Sequence, residues 1–127
     1  MRPSARQAYV EAVVRNYVRL PGTPLHASRA DRGYAGLLHD RGVALRFVYA
    51  GFVLATVRRE VRSADLPPLG AIRTLRFFHG AIEEAADLQL DPAYIHYLAA
   101  KITPLVAAKE ALLATTNRRI PAVSDRR

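Results

Sequence analysis

The chain has no cysteine, no tryptophan and a single methionine. Without thiols, disulfides and thiolate metal sites are excluded, and the redox state of the compartment leaves no mark on the composition. Lysine is nearly missing too. Two of the nineteen basic residues are lysine, Lys101 and Lys109, and the rest are arginine. Acids are few, eleven in all, so the net charge is +8. Long apolar runs are absent. The uncharged stretch of the apolar centre, FVYAGFVLATV at 47–57, is bracketed by Arg46 and Arg58. It falls well short of the roughly 20 residues a membrane helix needs. No apolar segment follows Arg2 and Arg6, so no secretory signal and no membrane partner are expected, and the expected location is the cytoplasm.

What is present is helical periodicity almost throughout. SARQAYVEAVVRNYVRL puts Ala8, Val10, Val13, Val14, Tyr17 and Val18 on one face and predicts a helix over about 4–19. LPGTP stops it. Ser28 is a candidate cap for a second helix, with Asp31 at the capping-box position, although Asp reaches back less well than Glu. Gly42 reads as that helix's C-terminal stop. A third helix, about 43–62, is apolar nearly all round from Phe47 to Val57, which marks a central element, and Gly51 would let a neighbour approach closely. After the linker SADLPPLG, a fourth helix is expected over about 69–88, with Ile72, Leu75, Phe78, Ile82 and Ala86 inward. Asp91-Pro92 opens a fifth, about 92–102, and Pro104 should kink or restart it. The fold class is all-α: a bundle of five to six helices with mostly antiparallel neighbours. Residues 1–116 form one domain, and 117–127 form a basic, mobile tail.

The residues offer little chemistry. His26, His39, His79 and His96 are scattered, and no i, i+4 pairing with a carboxylate stands out, so no metal site is expected. Glu83 and Asp87 share a face beside Glu84, which reads as a solvated face or one that meets arginines of the first three helices. The serines at 4, 28, 63 and 124 fall at caps, linkers or the tail, and the glycines lack phosphate-loop spacing. No catalytic residue and no cofactor is assigned, and an enzyme is not expected.

The charge is the informative feature. Residues 1–62 hold eleven arginines against four acids, residues 63–117 lean acidic, and 118–127 are basic again. Arginine's planar fork grips phosphate in two places. GC-rich coding would also favour arginine over lysine, but it does not force bases to exceed acids. Arg29 and Arg32 fall in the first turn of the second helix, and Arg73 and Arg76 near the expected start of the fourth. Cations there oppose the helix dipole, an arrangement that makes sense if an anion sits among them. Pairing with local acids is the alternative. Arg58, Arg59 and Arg62 at the end of the third helix suit the dipole and extend the basic surface, as do Arg118 and Arg119 in the tail. Of the adjacent Phe77 and Phe78, one must turn from the core, to stack on a base or to pack on the fifth helix or a second subunit.

Residues 28–103 resemble the helical replication and primosome domains typified by DnaD. The features are a basic helix, an apolar helix ending in ATVRREVR, a proline linker and then IRTLRFFHGAIEE. Those domains carry an aromatic helix near YIxxILxxW after a similar linker. Here LRFFHGAI occupies that place, with phenylalanine for tyrosine and no tryptophan. The resemblance implies DNA binding within an oligomer or nucleoprotein complex. The expected function is that of a non-enzymatic, nucleic-acid-binding accessory protein for DNA or RNA, contacting phosphates through Arg29, Arg32, Arg58, Arg59, Arg62, Arg73, Arg76, Arg118 and Arg119. The competing expectation is a protein-interaction subunit or homo-oligomer.

Overall fold

The computed structural model describes residues 2–61, 65–67 and 69–125, with side chains as far as Thr116. Five α-helices are found among the described residues: α1 (Ala5–Tyr17), α2 (Arg29–Asp40), α3 (Leu45–Glu60), α4 (His79–Leu88) and α5 (Pro92–Asp125). A 3-10 turn at Leu75–Phe78 leads into α4. There is no strand among the described residues, so the all-α class holds.

Serine starts the first two helices for the same reason. Four N–H groups at a helix N-terminus lack intrahelical partners, and a short hydroxyl can accept from one. Ser4 Oγ accepts from Gln7 N, and the Gln7 side chain accepts from Ser4 N at 2.7 Å. Ser28 and Asp31 form the equivalent box at 3.0 Å in both directions. The aspartate's short reach is therefore sufficient. α2 stops at Gly42, whose φ of 76° is the left-handed conformation that glycine adopts without strain.

α3 is the central element and packs on α1, α4 and α5, while α2 lies on α1. Its buried residues, among them Phe47, Val48, Gly51, Phe52, Leu54 and Val57, point to several sides. The main core joins Val13 and Tyr17 of α1, Tyr34 and Leu38 of α2, Val48 and Phe52 of α3, and Leu75, Phe78 and Ile82. A second cluster joins Leu54 and Val57 to Leu98 and Ile102 of α5. α3 and α4 approach closely at Gly51, where a Cβ would lie 2.6 Å from Ile82 Cα.

Two expectations about element boundaries fail. The fourth helix does not begin near 69. Ile72 N–H donates to Gly22 O at 2.8 Å, and Leu75 N–H donates to Asp31 Oδ1 at 2.9 Å. Donors committed to other parts of the chain cannot close i→i−4 bonds, so residues 69–74 run as a strap and α4 starts at His79. Nor does the helix break at Pro104, since α5 continues to Asp125. Proline there removes one backbone bond, but the turns beyond it are docked. Val106 packs against the second core cluster, Arg19 pairs with Glu110, and Lys109 sits inside the fold. The expected tail falls beyond the described side chains.

Lys109 is 8 % exposed, and its ammonium donates to the carbonyls of Val18, Leu20 and Thr23 at 2.7–3.0 Å and to Thr23 Oγ1 at 2.8 Å. Carbonyls at a helix C-terminus lack partners, and an ammonium satisfies several at once. Burial pulls the Lys109 ammonium below the usual lysine range, the direction expected for a cation taken out of water.

The Gly51 contact has a direct test. Gly51→Ala would gain helix propensity but forces α4 away from α3, so urea denaturation should show a net loss of about 1–3 kcal/mol. Gly80→Ala, which meets open space, should stabilise or leave stability unchanged.

Candidate anion-binding surface

The strap and the 3-10 turn that follows it are held at five points. Arg59 Nη2 donates to Gly70 O at 3.0 Å. Ile72 bonds to Gly22, and Leu75 to Asp31, as described above. Arg76 lays its guanidinium over the Tyr34 ring, 4.7 Å from the centroid. Arg59 returns at the far end, 5.5 Å from the centroid of Phe77. A shallow hollow of about 380 Å³ runs along the strap, lined by Gly22, Thr23, Pro24, Ala71, Ile72 and Arg73.

Asp31 is the pivot. It is 3 % exposed, and its two oxygens accept from Ser28 N and Leu75 N. A buried carboxylate is tolerable only with such donors. One oxygen starts α2 and the other anchors the strap, so the first turn of α2 and residues 73–76 become neighbours. This brings the backbone positions of Arg29, Arg73 and Arg76 within two residues of the Asp31–Leu75 bond.

The 3-10 turn decides which side chains face outward. With three residues per turn, positions i and i+3 eclipse. Leu75 and Phe78 are fully buried, and between them Arg76 and Phe77 are exposed side by side. Arg73 and Arg76 therefore do not stand at an α-helix N-terminus, and of the two helix-start pairs only Arg29 and Arg32 do.

The sequence-predicted arginines separate into groups. Arg32 pairs with Glu11 of α1. Arg58 makes a bidentate pair with Glu84 of α4, at 2.9 and 2.7 Å. Hydrogen bonding from these arginines holds the Glu11 and Glu84 carboxyls below the usual carboxylate range. Other exposed pairs join Arg6 to Asp40, Arg19 to Glu110 and Arg41 to Glu83. Arg29 and Arg73 are exposed and make no ion pair among the described residues. Arg76 rests on an aromatic face, and Arg59 clamps the strap. Arg62, and the side chains of Arg118 and Arg119, lie outside what is described.

Of the acids of α4, Glu84 meets Arg58 of α3 and Glu83 meets Arg41 just after α2, one of the two outcomes their clustering suggested. One pairing escaped the sequence reading: His79 lies 3.2 Å from Glu83 at i, i+4, and Tyr34 Oη and His79 Nδ1 are 2.8 Å apart. Burial raises the Tyr34 phenol pKa, and the Arg76 charge opposes that shift. Among the described residues no three His, Asp or Glu side chains come together as a metal site. No helix among them is long and apolar enough to cross a membrane. Ser4 and Ser28 are both committed as caps.

Sequence reasoning also missed the second bond of Asp31, the strap clamp by Arg59 and the platform under Arg76. One signal was available. Ile72, Leu75 and Phe78 recur every three residues, which fits a 3-10 path better than an α-helix. No family model matches the chain, and no curated protein or solved structure matches it.

The dual role of Asp31 is open to measurement. Asp31→Ala removes a capping box and leaves the buried Leu75 N–H without an acceptor, so stability in urea should fall by about 2–4 kcal/mol. Asp40→Ala, at an exposed pair, should change it little.

Proposed function

We propose that the protein binds the phosphate backbone of nucleic acid through Arg29, Arg73 and Arg76, and performs no reaction of its own. The observation that carries this reading is the distribution of charge partners. Five arginines of the bundle are neutralised by carboxylates, whereas these three are exposed on two segments that a buried aspartate ties together. Arg2, Arg15 and Arg46 are likewise exposed without an ion pair among the described residues, but of these unpaired cations Arg29, Arg73 and Arg76 are the ones within two residues of the Asp31–Leu75 bond, where their guanidinium forks can serve one external anion. The net charge of +8 attracts a polymer of phosphates at long range. Arg76 is preorganised by its stacking on Tyr34, which lowers the entropy lost on binding. Contacts of this kind position a backbone and carry no base sequence. The role of an accessory component in a nucleoprotein complex agrees with the resemblance to DnaD-like domains.

Binding should weaken steeply with salt, because each phosphate contact releases a counterion. In fluorescence anisotropy across a salt series, Arg29→Ala, Arg73→Ala and Arg76→Ala together should reduce the slope of log K against log salt by about three. Arg58→Ala should leave it nearly unchanged. Equal slopes for the triple variant and the parent would remove this assignment.

A second reading rests on α5. Tyr94, Tyr97, Leu105 and Leu112 are 48, 59, 36 and 51 % exposed, and their spacing places them along one side of the helix. Lys101, the one charge in that row, stacks over Tyr97 at 4.7 Å. A two-fold axis would lay this row on its own copy, the self-complementary arrangement of a dimer. Light scattering should then give a dimer mass that the double variant Leu105→Glu, Leu112→Glu reduces to a monomer. A monomer mass for the parent at high concentration excludes the pairing.

A further inference from the structure

Resting on the phosphate-binding reading, we infer that the preferred ligand is single-stranded nucleic acid and that Phe77 is the ring on which a base stacks. Phe77 is 49 % exposed, while its neighbour Phe78 is fully buried. A large aromatic ring left in water is a poor use of a residue that the core could hold, and this one does not complete either core cluster. It is also fixed in place. Phe78 meets it in a T-shaped contact, with centroids 5.1 Å apart and planes at 86°. Arg59 holds a cation 5.5 Å from its centroid while bonded to Gly70 O. A ring held by the core and by a clamped arginine loses little freedom when a flat partner lands on it.

The surroundings fit a strand rather than a duplex. Arg76 precedes Phe77 and turns outward with it, because the 3-10 turn sends Leu75 and Phe78 inward. Arg73 lies four residues back, at most about 14 Å along the backbone. A short row of guanidinium groups ending in an exposed ring matches the way proteins hold single strands: phosphates on cations, bases on aromatic faces. In a duplex the base faces are covered by their neighbours, so an outward ring finds a partner only by forcing a step apart. With no set of side chains to read base edges, stacking adds affinity without sequence preference.

Fluorescence anisotropy at fixed low salt tests this with four labelled probes of equal length: an oligothymidine, an oligoadenine, an abasic strand and a hairpin duplex. The oligothymidine and oligoadenine strands should bind at least tenfold more tightly than the abasic strand or the duplex. Phe77→Ala should cost about tenfold on the based strands and leave the duplex, the abasic strand and the salt slope unchanged. Phe77→Tyr should retain binding. Phe77→Leu, which keeps apolar bulk but has no π face, should behave like alanine and serves if the alanine variant fails to fold. Duplex bound as tightly as single strand, or Phe77 variants that bind every probe like the parent, would overturn the stacking role while leaving phosphate binding intact. A parent that binds no probe even in dilute buffer would overturn both. If Phe77→Ala instead dissolves a dimer and leaves strand binding untouched, the ring belongs to a protein contact and the inference falls.

Discussion

The fold depends on satisfying the main chain of two irregular segments, residues 18–28 and the strap 69–74, inside a bundle that has no sheet to pair them. Two buried charges do this. Asp31 collects N–H groups from Ser28 and Leu75, and Lys109 collects carbonyls from Val18, Leu20 and Thr23. Neither charge faces an opposite charge. Each is neutralised by backbone dipoles, which is how a charged group survives desolvation without an ion pair. The two sites are joined by the bond from Ile72 to Gly22, so α5, the loop after α1 and the strap form one connected unit.

This arrangement explains the division of the surface. Several arginines of the helices and their ends meet carboxylates on neighbouring elements: Arg6 on α2, Arg32 on α1, Arg58 on α4, and Arg19, just after α1, on α5. Such exposed pairs contribute little to stability, but they remove those cations from competition for an external anion. The strap is irregular and short of acids. Two arginines beside it are occupied by rings and carbonyls instead: Arg76 of the 3-10 turn on Tyr34, and Arg59 of α3 on Phe77 and Gly70. Those contacts orient a guanidinium and leave its charge uncompensated. Positive charge therefore stays available around the strap, as it does at Arg15, Arg29 and Arg46 on the helices, which make no ion pair among the described residues.

The pairing of buried carboxylate and strap also links stability to the proposed function. Anything that loosens Leu75 from Asp31 moves Arg73, Arg76 and Phe77 together, because all three lie within two residues of the backbone that this bond anchors. The candidate surface is thus seated directly on the core, where Tyr17, Phe52 and Phe78 pack ring against ring at 5.1–6.5 Å.

By itself the sequence determined the helical class, the central place of α3, both serine caps, the stop at Gly42, the close approach at Gly51 and the inward set Ile72, Leu75, Phe78 and Ile82. These follow from local chemistry: side-chain periodicity, capping hydroxyls, and a glycine's lack of Cβ. Only the tertiary structure decided that residues 69–74 form a strap, that α5 passes through Pro104, that Lys109 is a core residue, and which arginines meet carboxylates. Each of these turns on a partner distant along the chain. Asp31 reaches 44 residues ahead to Leu75, and Lys109 reaches 86 residues back to Thr23. Local propensity has no access to such bonds, and a buried donor or acceptor costs more left unmet than a helical turn is worth.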